Sequence, residues 1–176
     1  MKVLETERLL LRHLNAEDAD FILELLNEPA YNQNIGDRGV RPVDGARRYI
    51  EDGPAASYAA NGFGLYAIVL KESGTPIGMC GLIRRDILED VDIGYALLKR
   101  HWRQGYAQEA AAAVLDYGYN VLKLKRIVAI TAPDNAGSIH VLEKIGLRYE
   151  KTIHLPTLGG VSKLFVPVED GGETRG

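Results

Sequence analysis

Three extended runs joined only by turn signals, Gly64–Leu70, Pro76–Ile83 and Val91–Leu98, constrain the fold of this chain more than any other feature. Their connectors, ESGT and RRDILED, are the polar, glycine- and aspartate-bearing segments that hairpin connections need. Strands linked this way run antiparallel, because a parallel neighbour requires a crossover of about a dozen residues or more. No βαβ crossover precedes the third run, which disfavours a doubly wound nucleotide-binding domain.

The flanks supply helices and further strands. Leu9–Leu14 reads as a strand, and Asn15 as an N-cap followed by Glu17, Asp18 and Asp20, which suit the positive end of a helix. Phe21, Ile22, Leu25 and Leu26 form the stripe of an amphipathic helix ending near Pro29, and Val43–Tyr58 is a second, weaker helical stretch. Ala107–Leu122 places Ala107, Ala110, Ala111, Val114, Leu115 and Leu122 on one helical face. The β-branched run Arg126–Thr131 predicts a buried strand. Asn135–Ile145 predicts a helix with Ile139, Leu142 and Ile145 inward and Gly146 as its stop. Tyr149–Leu155 and Lys163–Val168 can pair across Gly159 and Gly160. The expected order is β, α, α, β, β, β, α, β, α, β, β: an α/β chain with a mixed, mostly antiparallel sheet flanked by about four helices. One domain over 1–170 with a frayed tail at 171–176 is the expected organisation.

Composition excludes several function classes. With 46% hydrophobic and 26% charged residues in 176, disorder is not the default, and such a chain can bury roughly 70% of its unfolded surface. The net charge of -3 and pI near 5.8 carry no basic footprint of a nucleic-acid binder, yet are compatible with a cationic acceptor such as an amine. Cys80 is the single cysteine, so no internal disulfide forms and a reducing cytoplasm is expected. No apolar stretch approaches the ~18 residues of a membrane span, and Glu5 and Glu7 interrupt the opening run, so neither a membrane segment nor a signal peptide is expected. His13, His101, His140 and His154 have no metal-ligand spacing, and no metal is expected.

Chemistry concentrates in Asp92–Ala113, DIGYALLKRHWRQGYAQEAAAA. Here a strand, a turn containing Gly105 and a long helix follow one another. N–H groups of such a turn have no intrahelical partner, and the helix dipole adds positive potential, so the junction is an anion cradle suited to a pyrophosphate. Arg103 can add a charged contact; the bland alternative is a turn glycine before a surface helix. In PDNAGSIHVLEKIGL, Asn135 sits where an N-cap belongs, and Ser138 shares a helical face with Leu142. Ser138 reads either as a first-turn serine bonded to local backbone or as a hydroxyl presented to a ligand. Asp92 reads either as a solvated strand residue sharing a face with Asp90 or as a carboxylate base. Cys80 reads as a small core residue.

HWRQGYA and DNAGSIHVLEKIGL together resemble motifs A and B of the GNAT acetyltransferase superfamily. With TERLLLRHL (Thr6–Leu14) and DIGYALL (Asp92–Leu98), the chain is similar over nearly its whole length to the RimJ/RimL-type branch, which includes acetyltransferases of ribosomal-protein N-termini. The resemblance implies acetyl-coenzyme A as co-substrate and an amine acceptor. The acceptor would be a protein N-terminal α-amine or else a polyamine, amino acid or antibiotic amine. Trp102, Arg103, Gln104, Gly105, Tyr106 and Ala107 would hold the pyrophosphate, Tyr95, Ala96 and Leu97 would pair with the pantetheine arm, and Asn135 would contact that arm. Many relatives place a thiolate-protonating tyrosine seven residues after this asparagine. Here that position is Leu142, and Ser138, three residues after the asparagine, is the candidate donor instead. Asp92 is the candidate base. The branch usually has glycine where this chain has Arg103; if that position needs φ > 0, the loop bears strain. Leu142 and Arg103 keep a non-catalytic acyl-coenzyme A-binding module in view as the rival, and a homodimer is left open.

Overall fold

The structure, a computed structural model, describes residues 2–29, 43–155 and 160–168. Strands β1 (Lys2–Glu5) and β2 (Leu9–Arg12) are followed by a 3-10 turn (Ala16–Asp18) and helix α1 (Ala19–Leu26). Asn15 caps this start as the sequence indicates: its side chain accepts from Glu17 N–H at 2.8 Å, and Asp18 reciprocates by accepting from Asn15 N–H at 3.0 Å. Strand β1 is absent from the expected order. It is a short edge strand whose two ends are exposed, too brief to carry a period-2 signal.

Helices α2 (Val43–Ile50) and α3 (Ala56–Asn61) form one rod through a π-helical turn, Glu51–Ala55. Pro54 lies in that turn. It has no N–H to donate and its ring crowds the carbonyl four residues back, so a wider turn absorbs it and the helix survives. Strands β3 (Leu65–Leu70), β4 (Pro76–Ile83) and β5 (Val91–Leu97) are the three extended runs joined by turn signals, and they pair antiparallel in succession. Helix α4 (Tyr106–Asn120), β6 (Ile127–Thr131), α5 (Ala136–Lys144), β7 (Leu147–Leu155) and β8 (Gly160–Pro167) complete the chain. The expected turn residue Gly159 and the tail 171–176 lie outside the described residues.

The eight strands make one sheet in the order β1-β2-β3-β4-β5-β6-β8-β7. Only β5 and β6 are parallel, and they pair at just two positions, Val91 with Ile127 and Asp92 with Val128. Beyond Asp92 the two strands part: β6 pairs with β8 through Ala129–Thr131, and the β6-facing edge of β5 is left open. This fork positions the site.

Apolar layers cover both faces of the sheet. Ala110, Ala111, Val114 and Leu115 of α4 and Leu142 of α5 pack on Tyr66, Leu82, Ile93 and Phe165. On the other face Ile22, Leu25 and Leu26 of α1 and Ala46 and Ile50 of α2 pack on Ala67, Met79 and Leu98. Each buried aliphatic side chain contributes about 1.5–3 kcal/mol. Strand β5 is therefore covered on both sides. That overturns the reading of Asp92 as a solvated strand residue, which assumed one wet face. Among the described residues, no helix is long and apolar enough to cross a membrane.

Candidate active site

The turn between β5 and α4 is built as an anion cradle. Gly105 caps α4 with φ +82°, a left-handed conformation that glycine adopts without strain. Arg103 also takes positive φ, at 62°, so this non-glycine residue carries about 1–2 kcal/mol of backbone strain. The first N–H of α4 to meet a backbone carbonyl belongs to Glu109, at 3.0 Å from Gly105 O. The N–H groups from Arg103 to Gln108 have no backbone acceptor among the described residues and converge at the positive end of a 15-residue helix.

The N-terminal strand pair braces this turn. Arg8 donates from Nε to Glu109 at 2.7 Å and from Nη1 to Gln104 O at 3.0 Å, and its guanidinium stacks 4.4 Å above the Tyr106 ring. Glu109 also accepts from Arg8 N–H at 2.9 Å and from the Thr6 hydroxyl. These contacts and burial act on its carboxyl in opposite directions, and the net result lies below the usual carboxylate range. The acid at the helix start is thus neutralised by Arg8, leaving the cradle's potential positive. The Trp102 indole closes the strand side by donating to Leu97 O at 3.0 Å.

That contact fixes which way β5 presents its backbone. Leu98 N–H bonds back to Ile77 O on β4 at 2.9 Å, whereas Leu97 O points the opposite way, to Trp102. By alternation, the N–H and C=O of Tyr95 face the open edge of the fork. The Tyr95 side chain lies on the α4/α5 face, where its hydroxyl donates to Ser138 Oγ at 3.1 Å. Burial pushes the Tyr95 phenol up to about 12, so it remains a neutral donor at physiological pH. Ser138 N–H in turn donates to Asn135 Oδ1 at 3.2 Å. Asn135 therefore does cap α5, and the same cap holds Ser138 at the cavity wall.

Asp92 begins the opposite face. Ala96 and Leu98 belong to the layer under α1 and α2, and alternation puts Asp92 and Gly94 on that same side. Asp92 is 1% exposed. One carboxylate oxygen accepts from Arg85 Nε at 2.9 Å, while Oδ2 is buried with no partner. Burial raises its pKa to about 6, against the lowering pull of Arg85. Asp90 instead pairs with Arg126 at 3.3 Å near the surface. Cys80, opposite Tyr95 on β4, is wholly buried, and desolvation drives its thiol pKa far upward, as befits a core residue.

A cavity of about 620 Å³ passes through the fork and joins these parts. Tyr95, Ala96, Leu97, Trp102, Arg103, Gly105, Tyr106, Ala107, Asn135, Ser138 and Asp92 all line it, whereas Gln104, which carries the carbonyl that Arg8 holds, does not. Its size and its N–H-rich mouth suit an extended phosphorylated thioester. Arg85, Tyr49, Met79 and Ile83, which also line it, went unread in the sequence. Arg85 lay in a segment legible only as a hairpin connector; its one signal was a basic residue beside the strand end that faces Asp92. Arg8 and Glu109 were hidden because the contact spans 101 residues. Among the described residues no cluster of three or more His, Cys, Asp or Glu is placed to hold a metal ion.

Comparison with known proteins accounts for this architecture. Residues 8–148 match the acetyltransferase (GNAT) domain. An uncharacterised N-acetyltransferase, p20, of Bacillus licheniformis is 34% identical over 153 residues, covering 85% of this chain and 84% of that protein. The uncharacterised YkkB of Bacillus subtilis is 44% identical over 94 residues, about half of each chain (52% and 55%). In fold, the chain superposes with a TM-score of 0.81 on RimL, a ribosomal-protein α-N-acetyltransferase in complex with coenzyme A, at 16% identity and 97% and 99% coverage. It also superposes, with a TM-score of 0.74, on a spermidine N-acetyltransferase chimera from Vibrio cholerae and hSSAT, at 20% identity and 92% and 96% coverage. With a fork, a cradle and a family match that agree along most of its length, the chain belongs to the GNAT acetyltransferases and is an acyltransferase enzyme.

Proposed function

We propose that the protein transfers the acetyl group of acetyl-coenzyme A directly to a primary α-amine, the favoured acceptor being a protein N-terminus as in the RimJ/RimL-type branch. One observation carries the reading: the open edge of β5 presents Tyr95 N–H between a buried carboxylate on one face and a serine–tyrosine pair on the other. The coenzyme enters along the α4/α5 face with its pyrophosphate in the 102–107 turn. The acceptor enters from the α1/α2 face, where Asp92 takes up the amine's proton through an intervening water. As the amine attacks the thioester carbon, Tyr95 N–H holds the developing oxyanion, and Ser138 O–H donates to the departing sulfur. Because Tyr95 donates to Ser138 Oγ, the serine's own O–H is left to hydrogen-bond the departing thiolate.

Magnitudes favour an α-amine. A base of pKa about 6 accepts a proton from an α-ammonium near 8 at a cost of about 3 kcal/mol, but from an alkylammonium near 10.4 at about 6 kcal/mol. Positioning the two substrates across one strand can supply roughly 7–11 kcal/mol of the barrier lowering. The test is thiol release from acetyl-coenzyme A across a panel of amines at pH 7–8. Release that follows the amine's pKa, largest with N-terminal peptides, is expected; best turnover with spermidine or a lysine side chain would refute the α-amine assignment.

A further inference from the structure

The cavity on the Asp92 side contains a second charged group that the transfer step leaves unused. Arg85 lines that cavity, yet its only hydrogen bond among the described residues runs from Nε to Asp92, leaving both terminal amino groups of the guanidinium without a protein partner. Its side chain is 22% exposed, so these donors are neither fully solvated nor satisfied. Beside it, Asp92 Oδ2 is buried and equally unpartnered. Among the described residues, the remaining wall on this face, from Tyr49, Leu65, Met79, Ile83 and Ala96, is largely apolar. The site thus presents a cation-seeking oxygen and an anion-seeking fork side by side against apolar side chains, where unsatisfied polar groups penalise any ligand that fails to meet them.

We infer that Arg85 is a specificity-determining residue that receives the carbonyl or carboxylate oxygen adjacent to the reacting amine, so that the acceptors are α-aminoacyl groups and not polyamines. This rests on the acetyl-transfer reading above. In an α-aminoacyl group the nitrogen and the neighbouring oxygen are separated by two carbons, a short span that matches an Arg–carboxylate pair joined at 2.9 Å. A guanidinium suits this task, because its flat fork can bond one oxygen while Nε keeps Asp92 in place. A polyamine fails on charge. Asp92 is the only carboxylate among the described residues lining the cavity, and a second ammonium would meet the Arg85 cation.

The chemistry has two sources, a peptide N-terminus and a free amino acid, and the assay separates them. Thiol release is measured with the full chain and acetyl-coenzyme A for an alanine-initiated tripeptide amide, free alanine, isopropylamine as the match lacking the oxygen, and spermidine. The wild type is expected to favour the better of the two alanyl acceptors over isopropylamine by roughly 10- to 100-fold in kcat/KM beyond what their difference in amine pKa gives. Which of the two leads identifies the source. Arg85→Gln retains a donor for Asp92 but loses the fork, and should lower that ratio by roughly 10- to 100-fold, chiefly through KM, down to the part that the amines' different pKa values set by themselves. Arg85→Lys, which keeps the charge, serves where the glutamine variant does not fold, and should lower the ratio partway. Any effect of these variants on Asp92 acts on all four acceptors and cancels from the ratio. A wild-type ratio no larger than the amines' pKa difference gives, spermidine as the best acceptor, or a ratio untouched by both variants overturns the role of Arg85 while acetyl transfer stands. Release with none of the four, in protein that binds acetyl-coenzyme A, overturns both.

Discussion

The two halves of the cavity are built on different principles. The half that the proposed function gives to the coenzyme is made of backbone: a left-handed glycine, a run of N–H groups at a helix start with no backbone acceptor among the described residues, and one strand edge whose partner has turned away. The half that it gives to the acceptor is made of side chains brought from separate elements, with Tyr49 from α2, Met79 and Ile83 from β4, Asp92 from β5 and Arg85 from the connector between those strands. A backbone device depends on local geometry that a short segment specifies, and it serves any ligand carrying a pyrophosphate. A side-chain device depends on tertiary assembly and can be retuned residue by residue. A fold built this way can keep one half and change the other, and neighbours of nearly the same shape are named for a ribosomal protein and for spermidine.

The sharpest way to break this division is at Asp92, where the acceptor half meets the chemistry. Asp92→Asn should cut turnover by roughly 10²- to 10⁴-fold with coenzyme affinity nearly unchanged. The wild-type rate should rise with pH through about 6, and that limb should vanish in the mutant. Stability should move the other way. The folded pKa is raised from 3.8 to about 6, so burial of the charged form costs stability once the pH exceeds 3.8, reaching about 3 kcal/mol above pH 6. Asp92→Asn should accordingly stabilise the protein at pH 8, by up to about that amount, and make little difference near pH 4. Equal or lower stability of the mutant at pH 8, read from denaturant melts, would mean that the Arg85 pair outweighs desolvation.

Ser138 tests the border between the halves. Ser138→Ala should lower the rate constant for turnover by roughly 10- to 1000-fold and leave acetyl-coenzyme A affinity almost intact, since the hydroxyl acts on charge that exists only as the thiolate leaves. If the serine merely supports the start of α5, the variant loses ~1 kcal/mol of stability and keeps its turnover. Gly105→Val probes the backbone half alone. A β-branched residue at φ +82° is strained, and its first carbon would already sit 3.2 Å from Arg8 Nη2. Coenzyme affinity should fall by about 10- to 100-fold, detected by calorimetry, while the pH dependence set by Asp92 is retained.

Legibility in the sequence follows the same division. The hairpin-linked strands, the caps at Asn15 and Asn135 and the stop at Gly146 are local devices, and each was read from adjacent residues. Strand β1 escaped because four residues with two exposed ends show no alternation. The π-helical turn at Pro54 escaped because proline signals a break, and here the helix widened to pass it. Asp92 stands out in the sequence but with a wet alternative, because its alternation with Asp90 says nothing about the two layers that cover β5. Arg85 and Arg8 act only across the folded molecule, on Asp92 and on Glu109, and no local pattern announces such pairs.

Tyr95 produces the smallest expected effect and discriminates most finely, because it belongs to both halves: its backbone forms the strand edge and its side chain reaches Ser138. Tyr95→Phe removes only the hydroxyl, leaving the ring in the core and the N–H in place. A hydrogen bond of this kind is worth about 0.5–1.5 kcal/mol, so turnover should fall by roughly 2- to 13-fold with little change in the KM for acetyl-coenzyme A. The phenol points its proton at Ser138 Oγ, 3.1 Å away, and so does not meet the sulfur directly. Its contribution is to hold Ser138 with the serine proton turned toward the sulfur. That role has a signature in combination. In a Ser138→Ala background, Tyr95→Phe should have no further effect on turnover, because the hydroxyl it orients is gone. Losses that multiply in the double variant would show that Tyr95 acts on the reacting carbonyl independently of Ser138.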